Sequence, residues 1–367
     1  MTQAVFISAP ALWERGHGPI HPLKPERLER THDLLMTSHA FDLANSRLIP
    51  PRPATDEELY LFHTPEYVEV VRRLSQGDIG VPAWKYGFGP GDNPVWARMY
   101  ETESLKVGSA LLAAELVHGG KVDVAFSFGG GLHHAGPAMA SGFCVFNDAA
   151  VAIHWLLRQG RRVVYIDIDG HHGDGVQNAF YDTNRVLTIS LHESGRHLFP
   201  GTGFVHEIGA GAGEGYSVNV PLPPYTDDET YLWAFHEVVP SLVERFAPDI
   251  VVSQLGIDTH YRDPLTHLAL TTHGYVAVVE TIKKLAPRWL ALGGGGYDIS
   301  VVPRAWTLAY GVMSEQAFGD ELPASYREKY GGERLHDSVE TATVASDWAA
   351  VRRRIEETVA ALKSLLG

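Results

Sequence analysis

The chain has 367 residues, 45% hydrophobic and 20% charged, which suits a globular protein of one large α/β domain or two smaller ones. Lys and Arg number 30 against 44 Asp and Glu, a formal charge of -14 that argues against a general binder of nucleic acid or anionic membrane but allows an acidic rim that selects cationic substrates. No run has the length of a transmembrane helix and no signal segment is recognisable, so a cytoplasmic setting is expected; the one cysteine, Cys144 in GFCVF, excludes an intrachain disulfide and reads as a small buried side chain.

In chain order, Ala4 to Ser8 predicts a first strand, and a Pro- and His-rich loop over Arg15 to Arg27 leads to a helix over Glu26 to Met36. Glu57 to Leu74 carries a second helical pattern, with His63 and Pro65 at a helix start. Residues 77–95 are expected as one long Gly/Pro-rich loop, a kind usually functional or mobile. Its GFGPG has no strand before it and no Lys-Ser/Thr after it, so it is a weak phosphate signal. A helix over Tyr100 to His118 precedes a strand over Val122 to Phe128, which stops at GGGLHHAGPAMASGFCVFND. A helix over Ala149 to Arg158 then leads into Val163 to Ile166, a β-branched run typical of a strand buried on both faces. Strands over Val186 to Leu191, Asp249 to Leu255 and Trp289 to Leu292 follow, with helices over Asp228 to Phe246, Gly274 to Leu285 and residues 350–366. This alternation predicts a mostly parallel sheet covered on both faces, with ligands at the carboxyl ends of its strands.

Four of those strand ends carry unusual chemistry: GGGLHH, DIDGHH, the GID ending at Asp258, and GGGGY ending at Tyr297. The second is the densest. Asp167, Asp169, His171, His172 and Asp174 place five metal-capable groups within eight positions, after a strand with no solvated face. If the extended backbone persists, Asp167, Asp169 and His171 point the same way. Asp169, His171 and Asp258 then supply the three protein ligands of an open catalytic site, with oxygen and nitrogen donors that suit zinc or another first-row divalent ion. His133 and His134, adjacent after three glycines, are better cast as acid-base groups than as joint chelators, with Asp167 and Asp174 as carboxylates that orient them. Tyr297 can donate to a developing oxyanion; a plain anion site made by the glycine amides is the competing reading. Together these parts predict metal-assisted amide hydrolysis.

These residues resemble the zinc-dependent histone deacetylase family, especially its bacterial acetoin-utilisation-type branch. The resemblance runs through HPLKPERL, GDNPVW, GGGLHHAGPAMASGFCVFNDA, VVYIDIDGHHGDGVQNAFY, ISLHESGRHLFPGTG, GAGEGYSVNVPLP, GIDTHYRDPL and GGGGYDISVVPRAW. It implies a single deacetylase catalytic domain over residues 1–367, with an arginase-like α/β fold and a central, mainly parallel eight-stranded sheet. It assigns zinc, with ferrous iron as an alternative, to Asp169, His171 and Asp258, and the oxyanion donor to Tyr297. His134 becomes the general acid-base residue and His133 its electrostatic partner, bonded to Asp174 and Asp167. Gly142, Phe143 and Phe199 line a narrow tunnel for an acyl-lysine stem with Leu265 at its side, and Asp92 is the rim carboxylate for substrate backbone amides. Structural potassium is implied at an inner site of Asp167, Asp169, His171, Ser190 and Leu191, and at an outer site of Phe180, Thr183, Val186 and Tyr216. Leu132 and Leu198 stand where bulkier aromatics are frequent, an expected widening of the mouth for longer acyl groups.

The implied partners are acyl-lysine proteins or peptides. Acetylpolyamines are the alternative, disfavoured by Leu265 and kept in play by Asp92 and the negative surface. A two-manganese ureohydrolase would want carboxylates where His133, His134 and His260 stand, and a catalytically silent acyl-lysine reader has no support from the filled catalytic positions.

Overall fold

The computed structural model describes residues 2–338 and 348–367. Eight strands form one sheet: β1 (Ala4–Ile7), β2 (Ser46–Ile49), β3 (Val124–Ser127), β4 (Val163–Asp167), β5 (Val186–Glu193), β6 (Ser217–Leu222), β7 (Ile250–Gln254) and β8 (Trp289–Leu292). Their order is β2-β1-β3-β8-β7-β4-β5-β6. Every pairing is parallel, so the sheet is more uniform than the mostly parallel one expected.

The helices are α1 (Glu26–Thr37), α2 (Asp56–Leu59), α3 (Pro65–Ser75), α4 (Met99–His118), α5 (Asp148–Arg158), α6 (Asp174–Ala179), α7 (Asp228–Phe246), α8 (Thr272–Leu285), α9 (Val302–Ser314), α10 (Ala324–Tyr330) and α11 (Trp348–Leu366). Side-chain alternation sorts the sheet into two apolar faces. Phe6, Val164, Ile166 and Val251 pack into one core with Leu28 of α1, Phe235 of α7, Val278 of α8, Trp306 of α9 and Ile355 of α11. Val5, Ile7, Val163, Tyr165 and Val252 face the other way, against Ala110 and Ala113 of α4 and Ala149 and Ile153 of α5. No helix among the described residues is long and apolar enough to cross a membrane.

Several sequence expectations need correction. The helical pattern over Glu57 to Leu74 is two helices, because Pro65 cannot donate to a preceding turn. Each half is capped: Thr55 and Glu58 form a capping box on α2, and the Thr64 side chain accepts from Tyr67 N at 3.2 Å on α3. The long loop over residues 77–95 contains a 3-10 turn, Ala83–Tyr86. The strand expected over Val122 to Phe128 is only Val124–Ser127. Strands β2 and β6, with helices α6, α9 and α10, were not predicted; β6 contains Pro221, which its place at the sheet edge tolerates.

Candidate active site

The four strands whose ends carry unusual residues, β3, β8, β7 and β4, are neighbours at the centre of the sheet. Their parallel register puts all four carboxyl ends on one edge. Strand β4 stops at Asp167, so the extended run expected through His171 gives way to a turn. The turn still converges Asp169 and His171 with Asp258 from the loop after β7: one ligand-capable atom from each lies within 4.8 Å of the others, and all three residues are buried.

The surrounding bonds leave three atoms facing one another. Asp169 Oδ2 accepts from Gln254 Nε2 at 2.5 Å and Gly295 N at 2.7 Å, which turns Oδ1 toward His171. Asp258 Oδ1 accepts from Gly170 N at 2.6 Å, leaving Oδ2 at 2.8 Å from His171 Nδ1. A Cβ on Gly295 would collide with both carboxylates, so only glycine lets the backbone seal this side. Burial disfavours charge on His171, yet its bonds to Asp169 and Asp258 hold it up to about 10. Burial, then the charge of Asp169, pushes Asp258 up to about 6. Two buried carboxylates sharing one proton on an imidazole is a donor set that suits a divalent cation, which would displace that proton. These residues could hold a metal ion.

The histidine pair is tied at its far side. His133 Nδ1 lies 2.8 Å from Asp167 Oδ2, which also accepts from Tyr165 Oη at 2.8 Å. His134 Nδ1 lies 2.7 Å from Asp174 Oδ1, at the first residue of α6. The rings stand 4.1 Å apart yet differ electrostatically. Burial opposes charge on His133, but Asp167 and Asp169 outweigh it and raise its pKa to about 9. Burial and then the charge of His133 push His134 down to about 4, against the pull of Asp174. The two neighbouring imidazoles are thus pushed in opposite directions, His133 toward its charged form and His134 toward its neutral form. The loop bearing them is fixed by buried Asp148, whose carboxylate accepts from Gly131 N at 2.9 Å and Leu132 N at 2.8 Å.

Tyr297 ends the glycine loop after β8, its ring centroid 6.4 Å from that of His171. Tyr297 N donates to Asp263 Oδ2 at 2.8 Å, and burial, then the charge of Asp258, lifts Asp263 to about 8. Phe143 meets the Tyr297 ring edge to face at 5.7 Å, and Phe199 meets His134 the same way at 5.0 Å. Gly142 is packed on the rings of His134 and Phe199. Phe199 is 42% exposed, Leu265 is half-buried, and Asp92 is exposed with its carbonyl accepting from His21 Nε2 at 3.1 Å. Leu132 is buried with Ala135 and Cys144, and Leu198 is half-buried.

Of the residues expected around potassium, Asp167 and Ser190 are partners in the β4–β5 register, with Leu191 next along β5. Phe180, Thr183 and Val186 lie between the end of α6 and the start of β5, and Tyr216 immediately precedes β6, where its carbonyl accepts from Thr188 N at 3.0 Å. His260, where a two-manganese enzyme would want a carboxylate, turns its Nε2 to Asp337 at 2.7 Å.

Sequence reasoning missed Arg27, Gln254, Asp148 and Asp263. Arg27 is 4% exposed, and its Nη1 donates to Gly294 O at 2.7 Å and Gly296 O at 3.1 Å while the guanidinium lies 5.2 Å over Trp306. Arginine in HPLKPERL was a visible signal, but nothing in the sequence pointed it at the glycine loop.

Residues 21–313 match the family described as the histone deacetylase domain. The chain is 43% identical over 338 residues to the acetoin utilization protein AcuC of Bacillus subtilis (strain 168), covering 90% of this chain and 87% of that protein. It is likewise 43% identical over 319 residues to AcuC of Staphylococcus aureus (strain MSSA476), covering 84% and 82%. Among solved structures, an HDAC homologue from Aquifex aeolicus superposes with a TM-score of 0.89 at 32% identity over 100% of both chains. An HDAC homologue complexed with SAHA does so with the same values.

Proposed function

Because the chain belongs to the histone deacetylase family, we propose that it hydrolyses acyl groups, acetyl foremost, from the ε-amino group of lysine in cytoplasmic proteins or peptides, as one catalytic domain. The observation that carries this reading is the meeting, at one sheet edge, of the Asp169-His171-Asp258 group with the carboxylate-tied pair His133 and His134.

Asp169, His171 and Asp258 would hold zinc or ferrous iron. Such an ion supplies Lewis-acid polarisation of the amide carbonyl and acidifies water. The protein groups do the rest. The neutral ring of His134, with Nδ1 turned to Asp174, offers Nε2 to take a proton from the attacking water and then return it to the departing amine. His133, drawn toward its charged form by Asp167, favours negative charge forming beside it. Tyr297 Oη donates to the oxyanion. Gly142, Phe143 and Phe199 enclose the aliphatic stem of the substrate lysine with Leu265 beside it, and Asp92 at the rim accepts from substrate backbone amides. Oxygens, largely main-chain, at Asp167, Asp169, His171, Ser190 and Leu191, and at Phe180, Thr183, Val186 and Tyr216, are the proposed seats of structural potassium.

Exposed Asp92 on a chain of charge -14 favours one second reading, an acetylpolyamine deacetylase. Turnover of a panel of acyl-lysine peptides and acetylated polyamines, with zinc or iron added and Tyr297→Phe as control, separates the two. Preferred release from acetyl-lysine, lost in the variant, is expected. Preference for polyamines moves the substrate, and no turnover of either removes the proposal.

A further inference from the structure

The Asp337 carboxylate, 5% exposed, ties together three elements. Its Oδ2 accepts from His260 Nε2 at 2.7 Å and Thr272 N at 2.8 Å, and its Oδ1 accepts from Arg304 Nη2 at 3.0 Å. Its main chain is held too: Asp337 N donates to Thr272 Oγ1 at 2.8 Å, and Asp337 O accepts from His273 Nε2 at 2.9 Å. The donating histidine is fixed in one tautomer. Arg262 N donates to His260 Nδ1 at 3.2 Å, so the ring proton sits on Nε2 and points at Asp337.

His260 is 1% exposed and lies two positions after Asp258. Its amide donates to Ile257 O at 3.2 Å and its carbonyl accepts from Asp263 N at 2.8 Å. It therefore braces the loop that presents Asp258 to His171 and Asp263 to the amide of Tyr297. Asp337 itself lies outside the family-matched residues 21–313.

We infer that Asp337 is a positioning residue: through His260 it fixes the loop carrying Asp258 and Asp263, so a C-terminal segment outside the matched domain completes the metal-binding geometry. The inference rests on Asp258 being a metal donor. Without the carboxylate, His260 Nε2–H is a buried donor lacking its acceptor and the Arg304 guanidinium loses its ion pair, so the loop gains freedom at the residue that must meet His171. Outer partners of metal ligands typically govern affinity by about 10–100-fold.

Zinc affinity of the full chain, read by competition with a fluorescent chelator and accompanied by thermal unfolding, tests this without any substrate. Asp337→Ala, one step further out than a direct partner of a ligand, is expected to weaken zinc about 10-fold, and Asp337→Asn, which keeps an oxygen for His260, to recover part of the loss. The double variant with His260→Ala should bind no worse than His260→Ala alone. Asp320→Asn is the control for a merely structural role. Asp320 holds the same segment by accepting from His336 N at 2.9 Å, and its variant should lower the melting temperature while leaving zinc affinity unchanged. Wild-type affinity in folded Asp337→Ala, or equal weakening in Asp320→Asn, overturns the inference. If Asp337→Ala does not fold, His260→Ala, which removes the donor, reads the same link from its other end, and wild-type affinity there overturns it equally. A wild-type chain that binds no zinc removes the metal reading and the inference with it.

Discussion

Arg27 Nη1 donates to Gly294 O at 2.7 Å, so a residue in the first turn of α1 clamps the loop that ends in Tyr297. Carbonyl oxygens in a glycine loop have no side chain to order them, and a buried guanidinium supplies the missing restraint. Replacing Arg27 with Met keeps the apolar stem but strands the two carbonyls. The expected outcome is a loss of about 3 kcal/mol in unfolding free energy by urea titration, with a larger proportional fall in kcat than in substrate affinity.

The 2.7 Å contact between His134 Nδ1 and Asp174 Oδ1 sets which ring nitrogen faces the substrate. Asp174→Asn removes the charge and lets the side chain present either a donor or an acceptor. It should lower kcat by about 10–100-fold on an acetyl-lysine peptide with zinc affinity unchanged. Loss of zinc binding in that variant would assign Asp174 to the metal group instead.

Gly142 has φ +50°, and an added Cβ would stand 2.8 Å from Phe199 Cε1 and press on the His134 ring. Gly142→Ala should therefore destabilise by about 1–3 kcal/mol and also pinch the tunnel. Its distinguishing mark is a fall in kcat/KM of at least about 10-fold that persists at temperatures where circular dichroism shows the variant fully folded.

His63 is a buried imidazole whose Nε2 accepts from Asn147 N at 2.9 Å, and burial pushes it from 6.5 down to about 3. Between those two values the unfolded chain takes up a proton that the folded chain refuses. The contribution of His63 is thus complete above pH 6.5 and is lost progressively as pH falls toward 3. His63→Gln should flatten the pH dependence of unfolding free energy in that window by up to about 1.4 kcal/mol per pH unit. Urea titrations at pH 7 and pH 5 measure it, and an unchanged difference between them would show that another group titrates.

Legibility in the sequence followed chemistry that side chains announce. The run from Val163 to Asp174 stood out because a doubly buried strand is an unbroken apolar run and its polar end is abrupt. Arg27 and Gln254 stayed hidden because each serves a partner far along the chain, Gly294 and Asp169, and neither local pattern differs from an ordinary helix or strand residue. Strand β2 is four residues with an exposed Arg47 at its second position, too short and too polar to register as a strand. His260 entered the sequence reading only as a place where a ureohydrolase would want a carboxylate, and only the return of Asp337 shows where its proton goes.

Strand β8 is the last strand in sequence yet lies between β3 and β7. Until residues 289–292 are available, the nascent chain can form only two half-sheets, β2-β1-β3 and β7-β4-β5-β6, each with an open edge where β8 belongs. The Asp-His-Asp group belongs wholly to the second half, the histidine pair to the first, and Tyr297 follows β8 itself. The candidate site is therefore complete only once β8 and the Tyr297 that follows it have been made, late in synthesis.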